Sequence, residues 1–343
     1  MNIFELTHSD LTKKLKQKYD KGKYHSTALY REIIQKGNLE YKDAEEFKKS
    51  GKLAAKIKSD IIIPVPKVIN SISKDNTLKF LCHYSDNLKS ESVIIPMKNH
   101  NTLCISSQIG CKMGCAFCET GKMGFTRNLT VSEIVSQVYC ARFILKQKIK
   151  NIVFMGMGEP FDNFNNVIKS IKVLNDQRGF DFAHRHITIS TVGLIDGIKK
   201  LESLQWDKIN LAISLNAPNN TIRSSLMPIN KKYSMTDLKK VLSEYRLRKK
   251  GLFFIEYVLI RGINNSKKNA YEIAEYLKGI KVRINLIPLN ETSSFPVKGT
   301  TDNEINSFAD HLEKKGIPVV KRWSRGNSLF AACGQLGNNS IRN

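Results

Sequence analysis

Acidic residues are scarce in this chain of 343 residues: 31 Asp and Glu stand against 55 Lys and Arg, a formal net charge of +24. Such an excess gives a sequence-independent attraction to polyphosphate, so a nucleic acid is the expected partner rather than a merely lysine-rich surface. The charge is spread, with clusters at Arg246–Lys250 and Lys314–Arg325, and nothing resembles a disordered basic tail. Long apolar runs are missing too; none approaches the roughly 18 residues that a membrane span requires. The first residues, Met1-Asn-Ile-Phe-Glu5, lack both the basic and the apolar part of a leader. A soluble, cytoplasmic protein with no membrane partner is expected. There is also no even, distributed cysteine framework, which excludes a disulfide scaffold and leaves seven cysteines available for ligation or redox work. Internal repeats and low-complexity tracts are absent.

What is present is concentrated between Cys104 and Thr126. Cys111, Cys115 and Cys118 form a C-x3-C-x2-C run flanked by Gly110, Gly114, Gly121 and Gly124. Thiolates are soft ligands that suit zinc, copper(I) and iron–sulfur clusters. Ferredoxin-type runs carry a fourth cysteine in a closing Cys-Pro, and this one stops at three. Three ligands on a four-iron cube leave one iron open to a non-protein ligand. Zinc with Cys104 as fourth ligand is the alternative, although structural zinc usually takes paired knuckles. The glycines suit a loop that wraps a cube, where positive φ and close backbone approach are needed.

The remaining chain divides by rhythm. Residues 1–60 read as a helical accessory domain with a possible RNA contact, Ser9 capping its first long helix and Leu29, Ile33 and Ile34 forming an apolar stripe. Residues 61–101 read as a β-linker, with turn chemistry at Asp75-Asn76 and Ser85-Asp86-Asn87. From 102 to 325 short β-branched runs alternate with helical patterns, which predicts an α/β fold, a partial (βα)6 barrel. Thr130-Val-Ser-Glu133 is a capping box for a helix expected to reach about residue 148. Residues 326–343 form a C-terminal loop carrying Cys333. Reactive groups of such barrels gather where strands end. Four runs obey this, ending in Gly156-Met-Gly-Glu-Pro160, Ser190-Thr191, Ser214-Leu-Asn216 and Asn290.

Gly156–Pro160 is a backbone-presenting turn with one carboxylate, suited to receive the α-ammonium of an amino acid through carbonyls and Glu159. Beside the three-cysteine loop it resembles the corresponding turn of radical S-adenosylmethionine (SAM) enzymes. Further stretches narrow the resemblance: Asp75–Lys79, Glu91–Pro96, Thr102–Gln108, Arg127–Thr130, Arg223–Asn230, Asn285–Asn290 and Ala332–Leu336. Together, and in this order, they are similar to the dual-specificity ribosomal and transfer RNA adenine methyltransferases, the RlmN/Cfr family. Cys82 and Cys140 match no such stretch and read as packing residues.

That resemblance implies a [4Fe–4S] cluster on Cys111, Cys115 and Cys118 and two SAM molecules per turnover. Gly158, Glu159, Ser190, Ser214, Leu215, Asn216 and Asn290 are the SAM-binding positions it implies. The implied reaction methylates C2 of an adenosine in 23S ribosomal RNA, at the peptidyl transferase centre, with transfer RNA as an optional second substrate. C2 is an electron-poor amidine carbon, so the hard step falls to cofactor chemistry. The resemblance further implies an S-methylcysteine on Cys333, a transient disulfide with Cys104, and Glu91 as proton acceptor. An electron donor such as flavodoxin and a monomeric state complete the expectation. Three departures stand out: Asn216 where the family has His, Asn327–Phe330 where it has acidic residues, and Glu119 where it has a small one. The alternatives are methylation at adenine C8, associated with resistance to ribosome-targeting antibiotics, and a non-catalytic cluster-bearing RNA-binding homologue.

Overall fold

The computed structural model describes residues 1–74, 76–291, 295–322 and 334–337. The first long helix, His8–Tyr19, is capped by Thr7 and not by Ser9: Thr7 Oγ1 accepts from Asp10 N, while Asp10 Oδ2 accepts from Thr7 N. The three-residue spacing to Asp10 makes the box reciprocal, which satisfies two otherwise unpaired amides. Helix Lys23–Tyr30 continues into a wider π-type turn, Arg31–Gln35, and the stripe of Leu29, Ile33 and Ile34 is fully buried. These side chains belong to the same apolar core as the rest of the protein. Phe4 packs on Tyr139 at 5.0 Å between ring centroids, Tyr139 OH donates to Gly37 O at 3.1 Å, and His8 N donates to Asp176 Oδ2 at 2.7 Å.

Three antiparallel strands follow: β1 (Lys67–Lys74), β2 (Thr77–His83) and β3 (Lys89–Pro96). Asn76 and Asn87 take φ of 60° and 65° at the intervening turns, a conformation asparagine tolerates. β3 pairs antiparallel with β4 (Asn101–Cys104), so the linker strands are one edge of the main sheet. β5 (Gln108–Gly110) and β6 (Phe125–Asn128) form a separate two-stranded ribbon that frames the cysteine loop.

From β4 the sheet runs parallel through β7 (Ile149–Phe154), β8 (Ile187–Thr191), β9 (Asn210–Ser214), β10 (Phe253–Leu259) and β11 (Val282–Pro288). These are the six parallel strands of the expected partial barrel. A further parallel strand, β12 (Val319–Lys321), pairs with β11 and was not anticipated, because three residues give too short an alternation to read. The crossover helices include Val131–Tyr139, Phe164–Asn175, Ile195–Ser203, Met235–Glu244, Lys267–Leu277 and Asp302–Glu313. The Thr130–Glu133 box forms as expected, and Ser234–Asp237, Ser266–Asn269 and Thr301–Glu304 repeat it. Each such cap contributes about 1 kcal/mol. The helix from Val131 ends nine residues earlier than expected, passing into a π-type turn at Cys140–Ile144 before β7 begins. Cys82 and Cys140 are both fully buried in the core, as packing residues should be.

Candidate active site at the mouth of the barrel

The cysteine loop is fixed by backbone contacts on three sides. Cys111 N donates to Gly124 O at 2.9 Å, Cys118 N to Cys115 O at 3.1 Å, and Ala116 N to Leu226 O at 2.8 Å. Gly110, at φ +74°, must be glycine, because a Cβ there would stand 1.8 Å from Gly124 O. Burial pushes the Cys111 thiol up to about 12 and raises Cys115 and Cys118 as well. A metal group would reverse this preference, since a coordinating thiol is deprotonated. Among the described residues no three His, Cys, Asp or Glu side chains are grouped to hold a single ion. Cys104, the fourth zinc ligand of the alternative, packs instead with Val93, Met157 and Leu336.

A cavity of ≈ 160 Å³ opens at the C-terminal ends of the strands, beside Cys115 and Cys118. Gly156, Gly158, Glu159, Ser190, Ser214 and Asn216 line it, together with Glu256, Gly334 and Leu336. The sequence-predicted positions therefore converge, with two exceptions. Leu215 and Asn290 are buried, but Ser214 and Leu289 form the wall beside them.

The Gly156–Pro160 turn is held by Ser106 and Gln108. Met157 N donates to Ser106 Oγ at 2.9 Å, and Glu159 N donates to Gln108 Oε1 at 2.8 Å. Gln108 Nε2 also donates to Asn128 Oδ1 at 2.9 Å and Asp162 Oδ2 at 2.7 Å, tying the turn to the β5–β6 ribbon. Gly158 has φ +94°, and a Cβ there would lie 2.5 Å from Gln108 Cβ. Glu159 is buried; its Oε1 accepts Phe161 N at 3.0 Å and its Oε2 accepts Val192 N at 2.9 Å. Burial nevertheless lifts its carboxyl to about 7. A carboxylate retains acceptor capacity beyond two hydrogen bonds, so a cationic ligand group still has a place here.

Asn216, the departure from His, takes φ 56°, where asparagine is favoured among residues with a side chain. Its Oδ1 accepts Val258 N at 2.9 Å and its Nδ2 lies 3.5 Å from Met227 Sδ. The amide is thus engaged in holding β9 to β10 and the following loop. Arg223 does similar work from a fully buried position, donating to Leu215 O at 3.2 Å, Val192 O at 2.6 Å and Asn230 Oδ1 at 3.1 Å.

Cys333 and the Asn327–Phe330 departure lie outside the described residues. The four residues after Cys333 do not. Gly334 O accepts Glu119 N at 2.8 Å, Leu336 O accepts Thr120 Oγ1 at 2.6 Å, and Gly337 N donates to Glu91 Oε2 at 3.1 Å. Glu119, the third departure, thus starts the short helix Glu119–Lys122 and anchors this segment through its backbone. Glu91 also pairs with Lys79, Nζ to Oε2 at 2.8 Å, with both side chains buried. Lys79, Gln108, Arg223 and Glu256 were not singled out from the sequence. Each is one polar residue within a motif or strand, and only register shows what it faces.

Comparison with known proteins agrees with this geometry. The Radical SAM superfamily model matches residues 105–274. A probable dual-specificity RNA methyltransferase RlmN 1 of Protochlamydia amoebophila is 40% identical over 342 residues, covering 100% of this chain and 95% of that protein. A dual-specificity RNA methyltransferase RlmN of Buchnera aphidicola is 46% identical over 273 residues, 77% of this chain and 74% of its own. The crystal structure of a radical SAM methyltransferase from Sphaerobacter thermophilus superposes with a TM-score of 0.91 at 34% identity, covering 98% and 99% of the two chains. Family membership implies a [4Fe–4S] cluster, SAM and an RNA substrate, and the thiol loop, the cavity and the charge fit all three. The chain belongs to the RlmN family of radical SAM RNA methyltransferases.

Proposed function

We propose that this enzyme methylates C2 of an adenosine in 23S ribosomal RNA, at the peptidyl transferase centre, and accepts transfer RNA as a second substrate. The observation that carries the reading is the meeting of four elements. The segment directly after Cys333 is docked on the helix that follows Cys118, on Glu91, and through Leu336 on Cys104. The relatives' dual-specificity names support two RNA classes.

Cys111, Cys115 and Cys118 hold the cluster, and the cavity beside them takes SAM, with Glu159 and the Gly156–Pro160 turn toward its amino-acid end. Cluster and SAM, when bound, supply a 5′-deoxyadenosyl radical. The sulfur of Cys333 accepts a methyl group from one SAM and carries the one-carbon unit to the base, so a turnover consumes two SAM molecules. Glu91, which accepts Gly337 N, takes the base proton. The Cys104 thiolate then attacks the Cys333 sulfur, displacing methylated RNA and leaving a Cys104–Cys333 disulfide; such exchange requires access and a thiolate. An external electron donor reduces the cluster and the disulfide. The positive charge draws RNA to the mouth without reading its sequence.

The test is expression in a cell that lacks its own adenine methyltransferase, with mass spectrometry of nucleosides from ribosomal and transfer RNA. The reading requires 2-methyladenosine in ribosomal RNA, and its presence in transfer RNA as well would establish the second substrate. 8-Methyladenosine would assign the enzyme to the sister chemistry, and unmodified RNA would leave a cluster-bearing binding protein.

A further inference from the structure

The stretch Asp75–Lys79 carries part of the family resemblance but no assigned chemistry, and it ends in a lysine that is fully buried. Arg223, the other cation buried this deeply among the described residues, spends its donors on Leu215 O, Val192 O and Asn230 Oδ1, and so scaffolds the chain. Lys79 Nζ instead meets a carboxylate, 2.8 Å from Glu91 Oε2. A buried ion pair adds little stability over an apolar pair of similar size, so stability alone does not account for a lysine here. The surroundings give it a task. Lys79 lies opposite Val93, and Val93 opposite Cys104, so one row crosses β2, β3 and β4. Glu91 stands one same-face step along β3 from that row, within diagonal reach of a long side chain. Its backbone is held by Ser106 Oγ, which donates to Glu91 O at 2.6 Å and accepts Met157 N at 2.9 Å, tying it to the Gly156–Pro160 turn. Its carboxylate is held on one side only. Lys79 Nζ and Gly337 N both bind Oε2, while Oε1 has no hydrogen-bond partner among the described residues.

We infer that Lys79 is a positioning residue for the methyl transfer: it pins the Glu91 carboxylate through Oε2 and leaves Oε1 as the atom that takes the base proton. The inference rests on the reading of Glu91 as proton acceptor. In that step the C2–H bond of the RNA adduct breaks, its electron pair stays on the adduct, and the proton forms O–H on Oε1. A proton acceptor works only within hydrogen-bond reach of its proton, and a carboxylate free to turn loses that geometry. Lys79 also sets a compensating charge beside a carboxylate that burial by itself disfavours.

The experiment follows turnover of cluster-loaded enzyme on RNA transcribed with adenosine or with 2-deuterioadenosine, for wild type, Lys79→Met, Lys79→Arg and Glu91→Gln. Lys79→Met should lose about tenfold to a hundredfold in turnover, the scale of a misplaced catalytic group. Its deuterium isotope effect should exceed that of the wild type, and the protein should retain covalently bound RNA, because proton loss then limits the cycle. A merely structural lysine would lower turnover without moving either readout. Lys79→Arg keeps the cation and should return both toward wild-type values. Lys79→Gln, polar but uncharged, should show the same rise in isotope effect, and it carries the test if Lys79→Met does not fold. Lost turnover with a wild-type isotope effect and no bound RNA, or full turnover in the uncharged variants, would overturn the positioning role, with Glu91→Gln still stalled and carrying RNA. Glu91→Gln that turns over normally would overturn the reading of Glu91 itself, and this inference with it.

Discussion

Lys79 and Glu91 form a buried ion pair whose acceptor oxygen also holds the C-terminal loop: Glu91 Oε2 lies 2.8 Å from Lys79 Nζ and 3.1 Å from Gly337 N. β2 and β3 bring them together, since Lys79 lies opposite Val93 and Leu81 opposite Glu91, on the face that carries Cys104 across β4. One carboxylate thus couples the β1–β3 edge of the sheet to the segment beside Cys333. Removing one partner of a buried pair leaves an uncompensated charge, so Lys79→Met should destabilise by about 3–5 kcal/mol. Adding Glu91→Gln should recover much of that loss, because no charge is then stranded. Denaturant unfolding of wild type, single and double variants reads this directly; equal stability of the two variants would contradict it.

Gly158 tests the scaffold of the SAM site. With φ +94° and Gln108 Cβ 2.5 Å from the place a Cβ would take, Gly158→Ala must displace Gln108. Gln108 holds the amide of Glu159 and bonds Asn128 and Asp162, so the whole turn should shift. S-Adenosylhomocysteine affinity should fall by about tenfold or more, as it does when several positioned polar contacts are lost. Unchanged affinity would show that the turn does not shape the cavity.

The cluster assignment makes a separate demand. Anaerobically purified protein should contain about four irons per chain, lose them in Cys111→Ala, and keep them in Cys104→Ala. Zinc in place of iron, or loss on Cys104→Ala, would contradict three-thiolate ligation.

How much of this was legible in the sequence follows from the kind of information each feature carries. The cysteine loop and the Gly156–Pro160 turn are local: read side by side, their residue types and spacing point to one chemistry, and they line one cavity together with Ser190 and Ser214. The barrel was legible because alternation of β-branched runs and helices repeats many times. Lys79 was not, because a lysine in a strand reads as solvent-facing until β2 and β3 are in register. Glu256 was hidden for the same reason, the one charged residue in an otherwise apolar strand. Thr7 lost to Ser9 as the expected first cap because both are cap-forming types, and the Asp10 spacing decides between them.

The charge account predicts a salt slope. With +24 formal charges, binding to a ribosomal RNA fragment should weaken linearly on log–log axes from about 50 to 200 mM salt. A flat profile would show that phosphate contacts supply little of the affinity.

The central claim is that Cys104 and Cys333 have different tasks in one covalent cycle, and the state of purified Cys104→Ala tests it most directly. Without the resolving thiol, the one-carbon unit still reaches the base from Cys333, but the RNA stays attached to that sulfur. Cys104→Ala purified from cells should therefore carry covalently bound RNA, seen as nuclease-sensitive mass and high absorbance at 260 nm. Cys333→Ala and the double variant should carry none. Cys104→Ala free of RNA yet inactive would contradict the resolving role of Cys104, and Cys104→Ala free of RNA and fully active would contradict the two-cysteine cycle itself.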